Sequence, residues 1–237
     1  MNVSGSSALR RCGLIALRGQ WQTALQVAFV AGLIGVFQDS LQLRFNFNWG
    51  NMSLPDHVTS VFSSLAPHTG LLTLLSIIRI LLGPVLAVGL CAYFLALHRG
   101  QNPTFSVLFS KMQFLWRCMG MYLLMGLFIF LWSLLFVIPG IIAAYRYAMA
   151  PYILADNPDI DAFEAIRRSK TMMDGHKLRL FVLQMSFIGW FILSVVAVSV
   201  LYAILGIVGT ALGLFASLVL QVYMQSATTA FYREMAY

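Results

Sequence analysis

The sequence predicts an all-α protein that crosses a membrane several times. Of its 237 residues, 60% are hydrophobic and only 10% are charged, whereas an ordinary soluble domain carries about 25% charged residues. The mean hydropathy is +0.83. Long apolar runs follow one another along the chain and leave no stretch from which a soluble core could be built. We therefore expect a single integral membrane domain covering residues 1–237.

Six segments have, or approach, the roughly 20 apolar residues that a helix needs to cross the hydrocarbon core of a bilayer. They are residues 20–38, 70–97, 114–138, 140–155, 180–205 and 206–230. The fourth segment is short for a full crossing, and the last two form one tract divided by Gly206 and Gly209. A chain with five spans is therefore the main alternative. No convincing cleavage site follows the first run, so we interpret it as an uncleaved span rather than a signal peptide.

The positions of the basic residues predict the orientation of the chain. It has 15 lysines and arginines against 8 acidic residues, which gives a net charge of +7. If the N-terminus is cytoplasmic, most of the basic residues fall in cytoplasmic segments, in agreement with the positive-inside rule. We therefore expect both termini in the cytoplasm. The sequence has no nucleic-acid-binding motif, so we expect no nucleic acid partner.

The residue patterns that support catalysis or metal binding are missing from the sequence. None of the eight acidic residues falls inside a predicted span, whereas intramembrane proton relays use carboxylates or histidines. The three cysteines and four histidines are scattered without metal-ligand spacing. No zinc protease, esterase or nucleotide-binding motif occurs. We expect neither an enzyme nor a cofactor nor a metal site, and an intramembrane hydrolase is the least favoured alternative.

Arg79 places a positive charge inside the second predicted span. It precedes Gly83 by four residues, so the two share one face of the helix, and Pro84 is expected to kink the helix there. One interpretation is an anion-binding arginine that points into a cavity at a broken helix. The alternative is an arginine whose long side chain reaches the lipid headgroups.

Arg146 lies midway along the fourth predicted span, between Tyr145 and Tyr147. A charge inside an apolar span is costly, so we expect a partner within the protein or a bound anion. The candidate partners within the protein are a backbone carbonyl freed by a proline, a tyrosine hydroxyl, or one of the glutamines of later spans, Gln184, Gln221 and Gln225. Arg146, Arg79 and the two tyrosines form the predicted ligand-binding set. The alternative for Arg146 is a structural hydrogen-bonding role.

A basic amphipathic helix is predicted at residues 161–174, between the fourth and fifth spans. Asp161 followed by Glu164 fits a capping box, and Gly175 fits a left-handed helix stop. Such a helix lies in the membrane interface and attracts anionic lipid headgroups. The predicted headgroup-binding residues are Arg167, Arg168 and Lys170. The alternative is that the helix packs on the spans and its charge only enforces topology.

Small residues recur every fourth position near the start of the last predicted span, at Gly209 and Gly213. Small residues let membrane helices approach closely. We expect this stripe to pack within the chain rather than to form a dimer. The long outer segment at residues 39–69 is expected to be an interfacial loop, and a ligand-binding lid is the alternative.

Four segments of the sequence form a distinctive series. They are LRGQW at 17–21, GLFIFLWSLLFVIPGII at 126–142, the stretch from Tyr147 to Trp190, and YMQSATTAFYREM at 223–235. This series resembles a bacterial family of integral membrane proteins known only as a domain of unknown function (DUF975). The resemblance implies an inner-membrane protein with about six helices, and it offers no catalytic residues. More distantly, the layout is similar to the membrane domains attached to some glycerophosphodiester phosphodiesterases.

The sequence as a whole predicts a non-enzymatic membrane protein that binds or moves an anionic lipid or amphiphile. Arg79 and Arg146 would contact the head of this ligand, and the basic helix would hold the cytoplasmic surface. The expected partners are membrane lipids. The alternative function is a membrane scaffold or regulator that docks a protein partner through the basic helix. A homo-oligomer is the other partner considered.

Overall fold

The computed structural model describes residues 5–33, 70–205 and 207–236. Within these ranges every long regular element is an α-helix, which confirms the predicted all-α class. The helices are α1 (Ser6–Leu17), α2 (Trp21–Leu33), α3 (Gly70–His98), α4 (Leu115–Leu135), α5 (Val137–Tyr147), α6 (Ala150–Asp156), α7 (Ala162–Met172), α8 (Lys177–Met185), α9 (Ile188–Leu205) and α10 (Ile207–Ala236). Two short 3-10 helices, Phe105–Phe109 and Met112–Phe114, connect α3 to α4. The predicted outer loop at 39–69 lies outside the described residues.

Four helical segments of the described chain are long and apolar enough to cross a membrane. They are Ile77–His98, Phe105–Leu135, Val137–Asp156 and Lys177–Leu205. These four segments correspond to the second, third, fourth and fifth predicted spans. The first predicted span, 20–38, is described only as far as residue 33, where α2 ends. The sixth predicted span forms part of α10, which continues to Ala236.

The outward surface of these segments is strongly apolar. Trp116 is 78% exposed and Ile204 is 72% exposed, and none of the most apolar part of Lys177–Leu205 is buried within the protein. Soluble proteins rarely expose contiguous apolar surfaces of this kind. A helix that is apolar on all sides is suited to hydrocarbon surroundings. The exposed faces of α4 and α9 are therefore consistent with lipid contact.

Helix α3 is the central helix of the fold because its two faces contribute to two different cores. Val88 and Cys91 join a core with residues of α4, α6, α7 and α10, whereas Tyr93 and Phe94 join a core with α1 and α2. The two aromatic rings of Tyr93 and Phe94 meet edge to face, 5.6 Å between centroids. In the most apolar stretch of this helix, 56% is buried inside the protein, which is the largest share among the four candidate spans.

The third candidate span is broken into α5 and α6. Helix α5 ends at Tyr147 and α6 begins at Ala150, with Pro151 at the start of α6. Proline suits the first turn of a helix because its missing N–H would find no partner there, and it cannot continue the preceding helix. The connection from α4 to α5 is also abrupt, since Phe136 is extended with φ −160° and ψ 154°. The span is thus a pair of short helices.

Basic and acidic side chains from four helices meet at one end of the bundle. Arg99 pairs with Asp156, and Arg179 Nη2 lies 2.8 Å from Glu234 Oε1. Arg233 donates a hydrogen bond to the carbonyl of His98. We call this group of residues the basic end: His98, Arg99, Asp156, Arg179, Arg233 and Glu234. The arginines that follow α3, begin α8 and end α10 therefore face the same side of the protein.

Helix α1 is not among the elements that the sequence predicts, because its arginines indicate only the topology of the chain. Its buried residues are Leu9, Gly13 and Leu17, spaced four apart along one face. An added Cβ on Gly13 would lie 3.0 Å from the backbone nitrogen of Ala227, so α1 and α10 touch backbone to backbone. The Ser226 hydroxyl donates to the Gly13 carbonyl at 2.9 Å and accepts from His98 Nε2 at 2.9 Å.

The stripe of small residues packs within the chain, as predicted. Gly209 and Gly213 are buried, and an added Cβ on Gly213 would lie 3.0 Å from the Cβ of Val198. Helices α9 and α10 therefore form a closely packed antiparallel pair through this contact.

Replacing Gly89 by alanine is expected to destabilise the protein. Gly89 of α3 packs against the backbone of the 3-10 helix Phe105–Phe109, and an added methyl group would overlap the Leu108 carbonyl group. Overpacking of this kind costs about 1–3 kcal/mol. Thermal unfolding in a neutral detergent should show a lower apparent melting temperature for Gly89→Ala. Gly120→Ala is the matched control, since its methyl group would meet nothing within 4 Å, and equal melting temperatures for both variants would contradict this packing.

Candidate functional site

The described helices line a partly open cavity of about 590 Å³. Residues of α3, α4, α5, α6, α8 and α10 form its walls, and Pro84 of α3 and Pro151 of α6 are among them. Small-molecule sites are typically clefts of about 300–1,000 Å³, mostly apolar with a few polar groups. The cavity has the size and position of a ligand site inside the bundle.

The polar groups of the cavity are neutral amides and hydroxyls. Tyr145 donates to Gln184 Oε1 at 2.8 Å, which joins α5 to α8. The Gln225 side chain approaches the sulfur of Cys91 at 3.9 Å, so its amide is only weakly engaged there. Gln221 lies one turn before Gln225 on the same face of α10. The polar lining residues are Cys91, Tyr122, Ser133, Tyr145, Tyr152, Gln184, Gln221, Gln225 and Thr228.

The remaining lining is apolar, and no charged side chain occurs among the described residues that line the cavity. Met125, Ile129 and Phe130 of α4 contribute one apolar wall, and Leu180 of α8 another. The cavity thus has hydrogen-bonding groups and hydrocarbon surfaces in one space. This combination is suited to a molecule with a polar head and an apolar tail.

Of the four predicted ligand-binding residues, the structure places only Tyr145 on the cavity wall. Tyr147 is buried, with its ring 6.0 Å from the ring of Phe128. Arg79 is half-buried, one helical turn before the lining residue Gly83. Arg146 is half-buried in the last turn of α5, next in the chain to Tyr145. The ligand-binding role of the two arginines stays a prediction.

The Nε atom of Arg146 is buried and finds no hydrogen-bond partner among the described residues. The three glutamines considered as its partners lie on the cavity wall instead, and Gln184 is bonded to Tyr145. An unsatisfied guanidinium N–H inside a protein is costly, so an acceptor is expected near it. These glutamines are predicted from the sequence as partners of Arg146 but not as residues of the ligand site. Their spacing at 221 and 225, on one face of an apolar helix, is the signal that identifies them.

Helix α7 begins near its predicted start, but its capping is different. Asp161 occupies the N-cap position without a side-chain capping hydrogen bond, so the predicted capping box is wrong. Glu164 instead forms ion pairs with Arg167 at 2.7 Å and with Arg168 at 2.9 Å. Hydrogen bonds from Arg168 and Arg167 lower the pKa of Glu164. These pairs therefore persist at neutral pH and are lost as the pH falls through that lowered pKa.

The predicted headgroup-binding residues lie on the exposed side of α7. Arg167, Arg168 and Lys170 are exposed, and the opposite face buries Ala165, Ile166 and Ser169. Because Glu164 neutralises part of the charge of the two arginines, the helix is less basic than its sequence indicates. Gly175 has a φ of +76°, which confirms the left-handed turn predicted after this helix.

Ser169 connects α7 to the break between α5 and α6. Its hydroxyl donates to the Arg146 carbonyl at 2.9 Å and accepts from the Met149 backbone N–H at 3.2 Å. Both groups lie where the helical hydrogen-bond ladder is interrupted, and Ser169 is fully buried. Buried backbone groups need partners. The side chain of Ser169 therefore supplies the donor and the acceptor that the broken span lacks.

Comparison with known proteins agrees with the family resemblance. Residues 134–237 match the family described as "Protein of unknown function (DUF975)". The resemblance to this uncharacterised family is confirmed over that part of the chain. No curated protein and no solved structure matches the chain. The more distant resemblance to membrane domains of glycerophosphodiester phosphodiesterases has no support in these comparisons. The matched region includes α5 to α10, which contribute the glutamine side of the cavity.

Replacing Ser169 by alanine is expected to destabilise the protein by about 1–3 kcal/mol, since the buried Met149 N–H and the partly buried Arg146 carbonyl both lose their partner. The measurement is thermal unfolding in neutral detergent, compared with Thr171→Ala on the same helix. Thr171 is exposed, and its hydroxyl bonds only to the Arg167 carbonyl one turn earlier. If both variants unfold at the temperature of the unmodified protein, the hydrogen bonds of Ser169 do not stabilise the break between α5 and α6.

Proposed function

We propose that the protein is a non-enzymatic membrane protein that binds or moves an amphiphile, with the central cavity as the binding site. The observation that carries the proposal is the cavity itself, about 590 Å³ between membrane-span-capable helices. Its amide and hydroxyl groups would hold a polar head, and the apolar walls of α4 and α8 would accommodate a hydrocarbon chain.

We further propose that the head of this amphiphile is anionic. The argument is the unsatisfied Nε of Arg146, which lies next in the chain to the cavity residue Tyr145. A charge held inside an apolar span marks a functional position by default, and an anion would satisfy both its charge and its free donor. A purely neutral head would engage Tyr145, Gln184 and Gln221 without Arg146.

The membrane arrangement is part of the same proposal. Residues 20–38 and 206–230 would complete six spans, and the basic end would face the cytoplasm of a bacterium with both termini on that side. This orientation is supported by the meeting of Arg99, Arg179 and Arg233 at one end of the bundle. Helix α7 would then lie at the cytoplasmic surface beside anionic headgroups.

A scaffold or regulator that docks a protein through α7 is the second candidate. Phe163 is 60% exposed on this helix, near Arg167. An aromatic side chain next to an arginine is a common anchor in protein interfaces. This function would depend on the outer face of α7 and would not depend on the central cavity, so cavity variants distinguish the two candidates.

Filling the cavity is expected to weaken binding of the amphiphile. Gly126 lines the cavity and an added side chain there would meet nothing within 4 Å, so Gly126→Leu should fold and occupy ligand space. Native mass spectrometry in neutral detergent should show palmitate binding at least about tenfold weaker, a loss of about 1.4 kcal/mol. Gly120→Leu is the control, because Gly120 is equally open but lies outside the cavity lining. Unchanged palmitate binding in Gly126→Leu would rule out the cavity as the site.

The charge of the head is tested with Arg146→Gln and a matched pair of ligands, palmitate and hexadecanol. If Arg146 contacts an anionic head, palmitate should bind about ten- to a hundredfold more weakly, because a hydrogen bond to a charged group contributes about 1.5–3 kcal/mol. Hexadecanol binding should be unchanged. Arg167→Gln, on the exposed side of α7, should alter neither. An equal loss for both ligands in Arg146→Gln would show a structural role instead.

A further inference from the structure

A second cleft, of about 480 Å³, opens beside the basic end. It lies between α1 and the turn after it, the end of α3 with its following turn, and the end of α10. It shares no lining residue with the central cavity. The lining residues are Cys12, Ile15, Ala16, Arg18, Gln20, Leu97, His98, Gly100, Gln101, Asn102 and Arg233.

Two left-handed turns shape the mouth of this cleft. Gly19 after α1 has a φ of +79° and Gly100 after α3 has a φ of +74°, a conformation that glycine adopts without strain. The turns are joined by a hydrogen bond of 2.8 Å from Gln20 Nε2 to Asn102 Oδ1. An added Cβ on either glycine would meet nothing within 4 Å, so both turns border open space. The cleft is therefore formed where the turn after α1 meets the turn after α3.

The charge of the cleft is positive. Arg18 and Arg233 both line it, and no carboxylate occurs among its described lining residues. The nearest acidic side chains of the basic end, Asp156 and Glu234, are paired with Arg99 and Arg179. Arg233 uses one guanidinium nitrogen on the His98 carbonyl, and a guanidinium has five N–H donors in all. Donors thus remain for a ligand on two arginines.

We infer that this cleft binds a phosphate group. Two guanidinium groups can each bind phosphate oxygens in a planar, two-bonded arrangement that suits phosphate better than a lysine would. The amides of Gln101 and Asn102 add neutral hydrogen-bonding groups to the lining. A typical ligand site has a volume in this range. The phosphate belongs either to a lipid headgroup or to a small phosphate compound from solution.

The position of the cleft places a lipid headgroup within reach. His98 and Leu97 are the last residues of the candidate span Ile77–His98, so the cleft lies at the boundary of the apolar region. Ile15 lines the cleft and is 60% exposed, and the neighbouring Leu14 is 40% exposed. Apolar side chains beside a cationic cleft match a molecule whose phosphate is attached to hydrocarbon chains. This site is independent of the amphiphile proposed for the central cavity.

The test uses three ligands that separate phosphate from hydrocarbon: phosphatidic acid, diacylglycerol and glycerol 3-phosphate. Each is titrated against the full-length protein in neutral detergent micelles, where no anionic membrane surface contributes. Phosphatidic acid should bind and diacylglycerol should not bind measurably. If glycerol 3-phosphate competes at similar concentrations, the source is a soluble phosphate compound. If only phosphatidic acid binds, the source is a lipid headgroup.

Arg18→Gln should weaken binding of the phosphate ligand at least about fivefold, which corresponds to roughly 1 kcal/mol. Arg18 is exposed, so this variant should fold normally. Arg11→Gln removes the same charge from the exposed side of α1 outside the cleft, and should change affinity less than about twofold. Arg233→Lys keeps the charge but loses the planar donor pair, and should also weaken binding several-fold.

The inference is overturned if Arg18→Gln and Arg233→Lys both bind phosphatidic acid as the unmodified protein does. It is also overturned if Arg11→Gln loses as much affinity as Arg18→Gln, or if diacylglycerol binds as well as phosphatidic acid. Phosphatidic acid and diacylglycerol are themselves amphiphiles, so each titration is repeated in the cavity variant Gly126→Leu, and the outcomes are judged by the binding that remains there. Palmitate binding thus tests the central cavity, and phosphatidic acid binding in Gly126→Leu tests the cleft, so failure of one site is distinguishable from failure of the other.

Discussion

The architecture depends on one side-chain hydroxyl, that of Ser169, at a gap in a membrane-span-capable segment. Hydrocarbon offers no partner for a backbone N–H or C=O, so a break in a span is tolerated only where the protein supplies one. Ser169 supplies a donor to the Arg146 carbonyl and an acceptor to the Met149 amide. Helix α7 is therefore a structural component of the bundle as well as a basic surface helix. Its buried face stabilises the break, and its exposed face carries Arg167, Arg168 and Lys170.

The break in turn shapes the central cavity. A continuous helix would present a regular face to α3 and α4, whereas the two short helices place residues from both sides of the break, such as Tyr145 and Pro151, around a shared space. The amides and hydroxyls that face this space need hydrogen-bond partners in an apolar environment. The protein supplies part of these partners, such as Gln184 for the Tyr145 hydroxyl and the Ile129 carbonyl for the Ser133 hydroxyl. The shape of the cavity and the set of residues that line it therefore both depend on the break between α5 and α6.

Local sequence signals predicted the class, the order of four membrane-span-capable segments and the turn at Gly175, because hydropathy and glycine conformation are properties of neighbouring residues. They did not predict that α1 packs against α10, since no local pattern relates Gly13 to Ala227. They also overestimated the free charge of α7, because Glu164 can pair with arginines three and four residues later in a helix. The glutamines of the cavity were visible as polar residues in apolar tracts, but their convergence depends on how α8 and α10 pack.

The contact between Gly13 and Ser226 joins residues 213 positions apart in the chain. Contacts of such long range form late, because the intervening loop must close before they contribute any stability. Synthesis proceeds from the N-terminus, so α1 is complete long before its partner helix α10 exists. The hydrogen bond between His98 and Ser226 likewise cannot form until α10 has been synthesised. The contact between α1 and α10 therefore cannot form until the last helix has been synthesised, although α1 is the first helix of the described chain.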